Sequence, residues 1–75
     1  MYFEAMYMGK QQRFVVKYNK TNSESEIYVG SRVIHRHPEK YDVKFIYEAA
    51  LGYLQTACDS KIDITPYEKD VLEIY

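Results

Sequence analysis

The stretch DVKFIYEAALGYLQTAC, Asp42 to Cys58, carries the strongest structural pattern in this 75-residue chain. Its apolar residues recur every three or four positions, the spacing that places side chains on one face of an α-helix. Pro38 in a first turn and Asp42 as an N-cap are two alternative starts. The spacing predicts an amphipathic helix from about residue 39 or 42 to about residue 58. Its apolar stripe would consist of Val43, Ile46, Tyr47, Ala50, Leu51, Leu54, Ala57 and Cys58.

The sequence before the helix has the pattern of β-strands. YFEAMYM, residues 2–8, is apolar except for one glutamate and predicts a first strand, with a tight turn at Gly9–Lys10. Residues 12–18 and 26–36 alternate in polarity, as half-buried strands do. Gly30, inside the third stretch, is typical of a β-bulge. The sequence therefore predicts three antiparallel strands in a meander.

The end of the chain predicts two short elements. Ile62 and Ile64 alternate with polar neighbours and favour an extended segment. TPYE, Thr65 to Glu68, is a capping box followed by apolar residues at helical spacing, which predicts a short C-terminal helix that includes Ile74 and Tyr75. The expected fold is α+β, a single domain of residues 1–75 with a three-stranded antiparallel sheet against one long helix, plus the short C-terminal helix. Its expected core is Phe3 or Tyr2, Phe14, Val16, Val29, Val33, Ile46, Ala50, Leu51 and Leu54.

Composition narrows the class of protein. The single cysteine, Cys58, excludes an intramolecular disulfide and favours a reducing compartment. No apolar run is long enough for a membrane span, and the first residues lack the features of a signal peptide, so we expect a cytoplasmic protein without membrane contact. The net charge of −1 gives no large field toward nucleic acid. We expect no cofactor.

His35 and His37 are the chain's only histidines and the most conspicuous candidates for chemistry. On a strand they would share a face, but a metal site needs a third ligand, and none stands at a diagnostic spacing. Cys58 lies on the apolar stripe, where an inert thiol is the usual outcome. We therefore expect no metal site, no catalytic residues and no enzyme. Pro38 ends a strand, so the histidines are interpreted as an exposed strand end.

Six residues in or next to the predicted strands, namely three arginines, a lysine, a tyrosine and a histidine, have no evident role in stability. Such residue types carry binding energy at interfaces. We expect these residues to form a partner-binding surface, and we expect removal of both arginines at residues 32 and 36 to leave stability unchanged. The predicted surface consists of Arg13, Lys17, Tyr28, Arg32, Arg36 and His37.

Two functions from different classes remain open. The first is a non-catalytic protein-binding module, an inhibitor or adaptor that blocks a macromolecular partner, with a homodimer through a sheet edge also possible. In size and style, though in no motif, the tyrosine-rich chain is similar to phage-encoded inhibitors of host or immune machinery, anti-CRISPR proteins included. The second is RNA or single-stranded DNA binding through a basic, tyrosine-containing sheet face.

Overall fold

A computed structural model describes residues 1–38, 42–58 and 72–75, and within these ranges the chain forms one sheet and one helix. The sheet precedes the helix in the chain, and a last short strand returns to it. The α+β class predicted from the sequence is confirmed. In chain order the elements are β1 (Tyr2–Tyr7), β2 (Lys10–Asn19), β3 (Glu24–Val29), β4 (Arg32–Pro38), α1 (Val43–Ala57) and β5 (Glu73–Ile74).

The predicted number of three strands is wrong, because residues 26–36 form two strands. The four long strands pair antiparallel in the order β1-β2-β3-β4. Gly30 lies in the turn between β3 and β4 with a φ of 61°, a backbone conformation that suits glycine. The bulge expected at Gly30 lies elsewhere: the partner of Ile27 is His35, whereas the partner of Tyr28 is Val33. Ile34 is thus the extra residue of β4, and the parity of the strand switches there.

The first hairpin turns one residue earlier than the sequence predicts. Met8 and Gly9 are its central residues, and their φ values are 51° and 85°. Positive φ at both central positions is the requirement of a type I′ turn, the tight turn that best matches the twist of a hairpin. Met8 is therefore held in a conformation that glycine or asparagine adopts more readily, and its side chain is 74% exposed.

The core lies between one face of the sheet and α1. Phe3, rather than Tyr2, is buried, and its ring stacks with Tyr47 of the helix at 5.8 Å between centroids. Val33 is the exception to the predicted core, because the bulge places it opposite Tyr28 on the other face of the sheet. Val29 and Leu51 are half-buried against the core. The buried apolar residues are Phe3, Ala5, Phe14, Val16, Tyr18, Ile27, Ile46, Ala50, Leu54 and Leu72.

Asp42 starts the helix, which decides between the two predicted starts. Its Oδ1 accepts hydrogen bonds from the backbone N–H groups of Lys44, at 3.0 Å, and Phe45, at 3.4 Å. These bonds satisfy two of the N–H groups that a helix leaves without partners at its start. Pro38 instead is the last residue of β4. The helix ends at Ala57, as predicted within a residue, and Cys58 follows as a half-buried cap.

The C-terminal residues form a strand where the sequence predicts a helix. β5 runs parallel to β2, with Lys17 opposite Glu73. Tyr75 extends the pairing: its N–H donates to the carbonyl of Tyr18 and its carbonyl accepts from Lys20, both at 2.9 Å. β1 pairs with β2 only as far as Val15, so β5 occupies the part of the β2 edge beyond it. The predicted helix is thus wrong at Ile74 and Tyr75. The predicted strand at residues 62–64 and the capping box lie outside the described residues.

Candidate partner-binding surface

The face of the sheet directed away from α1 is called the outer face here. Its residues alternate along each strand with the core residues, because successive side chains of a strand point to opposite sides. Their register across the strands is continuous from β1 to β4, and β5 adds to it. The residues of the outer face include Tyr2, Glu4, Arg13, Val15, Lys17, Glu26, Tyr28, Val33, Arg36, Glu73 and Tyr75.

The structure brings four of the six predicted binding residues together on the outer face: Arg13, Lys17, Tyr28 and Arg36. Arg32 does not join them, because it pairs with Val29 and so has the parity of the core. Without the bulge at Ile34, Arg32 would share a face with Arg36, as the sequence predicts. His37 pairs with Ser25, a buried residue on the helix side. The predicted surface is thus divided between two sides of the sheet.

Arg13 and Lys17 each combine an ion pair with a contact to an aromatic ring. Arg13 Nη2 lies 2.8 Å from Glu4 Oε1, and its guanidinium lies 4.4 Å from the centroid of the Tyr2 ring. Lys17 Nζ lies 3.7 Å from a carboxylate oxygen of Glu73 on β5 and 5.0 Å from the centroid of the Tyr28 ring. Both cations therefore cover a tyrosine of the same face and have an acidic neighbour.

Glu26 is a buried carboxylate at the centre of the outer face, only 3% exposed. It accepts hydrogen bonds from Arg36 Nε, at 3.3 Å, and from the hydroxyl of Tyr28, at 3.0 Å. Because that bond uses the hydroxyl proton of Tyr28, Tyr75 donates in the 2.8 Å bond between the two tyrosine hydroxyls. Burial, and then the bond to Glu26, raises the pKa of Tyr28. Glu26 was not among the predicted binding residues, although its parity with Tyr28 on the same strand indicates that both lie on one face.

The two histidines lie on the helix side. The His35 ring stacks on Tyr53 of α1, with centroids 3.9 Å apart and an angle of 11° between planes. His37 stacks more loosely on His35, at 6.1 Å. Burial, with a smaller contribution from the charge of His37, lowers the pKa of His35. The interpretation of both as exposed is therefore wrong, because both are half-buried. His35 contacts Tyr53 and so joins β4 to the helix. In the part of the chain that the structure describes, no three His, Cys, Asp or Glu side chains are grouped to hold a metal.

A cavity of about 340 Å³ lies beside the turn between β1 and β2 and the turn between β3 and β4. This volume is at the lower end of the range for ligand pockets. Only Arg32 of its described lining was a predicted binding residue. The others could have been found by recognising Met8–Gly9 and Gly30–Ser31 as turns, since the first and third turns of a meander lie at the same end. The cavity, here called the hairpin pocket, is lined by Tyr7, Met8, Lys10, Gln12, Val29 and Arg32.

Comparison of the chain with protein-family models, with curated proteins and with solved structures finds no significant match. A search of the described residues for membrane spans finds no helix with the length and hydrophobicity needed to cross a bilayer.

Proposed function

We propose that the chain is a non-catalytic protein-binding module, an inhibitor or adaptor that acts by covering a macromolecular partner. One observation carries the proposal: the cations of the outer face are paired with acids of the same face, and two of them cover tyrosine rings. Such a face is nearly neutral, rich in tyrosine and able to offer both hydrogen-bond donors and acceptors. Surfaces of this composition suit another protein.

The same observation disfavours the nucleic-acid alternative. Binding to phosphates draws its free energy from cations that replace condensed counterions, and Arg13, Lys17 and Arg36 already have carboxylate partners. A stacking platform also needs exposed ring faces. Tyr2 and Tyr28 each have one ring face under a cation. A single strand of RNA or DNA would have to displace these contacts before it could stack.

The edge strand β4 supplies a second contact region for a protein partner. In the part of the chain that the structure describes, no strand follows β4 in the sheet order. Its sequence, RVIHRHP, contains two arginines and two histidines and no acid. A partner strand with acidic residues would complement it. A homodimer through β4 is a weaker form of the proposal, because two copies would bring like charges together. Inhibition of host or immune machinery, as by phage-encoded anti-CRISPR proteins, is the specific form suggested by size and style alone.

The proposal is tested by affinity capture with matched charge reversals. The chain is immobilised and exposed to nuclease-treated lysate of the organism that encodes it, and retained proteins are quantified by mass spectrometry. Arg13→Glu reverses a charge on the outer face, whereas Lys20→Glu reverses an exposed charge in the turn between β2 and β3. We expect the same specific proteins on the wild type and on Lys20→Glu, and a loss of about tenfold or more on Arg13→Glu.

The opposite pattern decides against the proposal. If Arg13→Glu retained the same proteins as the wild type, the outer face would not be the binding surface. If the only saturable ligand were an oligonucleotide whose affinity fell steeply with salt, the chain would belong to the nucleic-acid-binding class.

A further inference from the structure

The hairpin pocket forms because the β1–β2 hairpin extends further than the β3–β4 hairpin at the same end of the sheet. β2 pairs with β3 only from Phe14 onward, so residues 10–13 of β2 extend past the turn between β3 and β4. Tyr7, Gln12 and Val29 have the parity of the core, and Arg32 pairs with Val29. The pocket is therefore a continuation of the core face of the sheet, and no described residue of α1 lines it.

Two cations of the pocket contrast with those of the outer face. Lys10 comes from β2 and Arg32 from β4, and no acid is among the described residues that line the pocket. In the described ranges the ion pairs involve Arg13, Lys17 and Arg36, and neither of these two cations. Two positive charges in one concave site, without a carboxylate among the described lining residues, favour an anionic group as ligand.

The apolar part of the lining limits which anionic groups can fill the pocket. Met8 stands at the rim, 74% exposed, at a positive φ where a bulky residue is rare. Val29 and Tyr7 lie deeper, and the Tyr7 ring packs edge-on against Phe14 at 5.4 Å. A ligand that fills this site therefore needs an apolar group beside its negative charge. An acidic residue with aliphatic neighbours in a polypeptide meets both requirements. A sugar–phosphate chain meets only the first, because it has a negative charge but no aliphatic group beside it.

We propose that the hairpin pocket binds the carboxylate of an acidic residue from a partner protein, with Lys10 and Arg32 as its cationic contacts and Met8 as the apolar contact for the neighbouring residue. This inference rests on the proposed function and narrows it to a peptide chemistry. Arg32 can offer two parallel N–H donors to a carboxylate, and Lys10 adds a point charge. The affinity for the peptide would come from the apolar contact as well as from the charge pair.

The test uses the ¹⁵N-labelled full chain and two blocked tripeptides, acetyl-Leu-Glu-Leu-amide and acetyl-Leu-Gln-Leu-amide. Amide shifts are followed during titration, a method that detects weak binding. We expect the glutamate peptide to shift the amides of Tyr7, Lys10, Gln12 and Arg32 in a saturable way. The glutamine peptide should bind about tenfold more weakly, since it cannot form charge-assisted hydrogen bonds. This comparison is made on the wild-type chain and does not depend on any variant folding.

Matched variants locate the effect. Lys10→Gln and Arg32→Gln should each weaken the glutamate peptide by about tenfold, and Lys20→Gln, an exposed lysine outside the pocket, should not. Equal affinity for the two peptides, shifts centred elsewhere, or an equal loss in Lys20→Gln would overturn the proposal. Inorganic phosphate that bound the same amides more tightly than the glutamate peptide would also overturn it. If no probe binds, the proposal for the hairpin pocket is wrong. The proposed function is tested separately by the capture experiment, so the failure of one proposal can be told from the failure of the other.

Discussion

At the scale of single residues, Glu26 shows how the outer face is constrained. Its carboxylate is almost fully buried, yet it has a guanidinium and a hydroxyl as donors. Burial of a charge is costly unless partners of this kind are present. Arg36 therefore has a structural role in addition to any role in binding. The expectation that both arginines could be removed without loss of stability is revised accordingly, and Arg32 remains the better probe of binding.

The first prediction concerns the ion pair of Arg36 and Glu26. Arg36→Ala should lower the free energy of unfolding by about 1–3 kcal/mol, the cost of leaving a buried group with too few partners. Chemical denaturation measures it. Adding Glu26→Gln to Arg36→Ala should recover part of the loss, because the amide needs no counter-charge. A change within about 0.5 kcal/mol for Arg36→Ala would place it among ordinary surface substitutions and contradict the assignment.

The second prediction is a pH dependence that originates at His35. Its pKa in the folded chain lies below the ordinary value of 6.5, chiefly because of burial against the helix. The unfolded chain therefore takes up the proton more readily, so the stability from neutral His35 is present above pH 6.5 and is lost as the pH falls below that value. Denaturation at about pH 7.5 and about pH 5 measures this difference.

Two variants isolate the contribution of His35. His35→Phe retains a ring to stack on Tyr53 and should reduce the loss of stability on acidification. His37→Gln removes the neighbouring charge and should reduce it by less, because burial is the larger cause. An unchanged pH dependence in His35→Phe would show that other groups are responsible.

At the scale of elements, sequence and structure agree where the pattern is local and differ where pairing is between distant parts of the chain. The period of the helix and its Asp42 cap are local, and both are found. Ile74 and Tyr75 are compatible in spacing with a helix, yet the edge of β2 binds their backbone instead. Gly30 suits a bulge or a turn equally well, and the bulge at Ile34, which no local signal marks, separates Arg32 from Arg36. Four of the six predicted binding residues therefore lie on one face. The ion pairs depend on a strand register that the local pattern does not fix, and the hairpin pocket depends on turns at Met8–Gly9 and Gly30–Ser31, which the sequence predicted as a turn at Gly9–Lys10 and a bulge at Gly30.

The third prediction is made for the first turn. Met8→Asn should raise the free energy of unfolding by about 1 kcal/mol, because asparagine tolerates the positive φ that methionine is forced to adopt. The same change should weaken the glutamate tripeptide, because it removes the apolar contact at the rim of the pocket. Thermal melts and the amide titration give the two readouts. Lower stability in Met8→Asn would show that the methionine side chain contributes more to packing than to binding.

The fourth prediction is made for the contact between helix and sheet. Leu54 is fully buried between them. Leu54→Ala should cost about 2–5 kcal/mol, as truncation of a buried leucine does. In a domain of this size that is a large share of the total stability. A melting temperature that fell by only a degree or so would contradict the position of the helix on the sheet.

At the scale of the whole molecule, the two faces of the sheet have separate tasks. The helix covers one face and forms the core, while the other face balances its own charges and carries tyrosines. The hairpin pocket lies at the end of the core face, where two cations are left without acids among the described lining residues. This division would let so short a chain keep its core on one side of the sheet and present the proposed binding residues on the other. The proposed function adds that the partner is a protein.

The most direct test of this claim is an interface map of the ¹⁵N-labelled chain, titrated with the protein retained in the capture experiment and separately with a single-stranded oligonucleotide. We expect saturable amide shifts with the protein, concentrated on the outer face and around Lys10 and Arg32, and none with the oligonucleotide at low salt. Saturable shifts of the outer face with the oligonucleotide, reduced steeply by added salt, would contradict it.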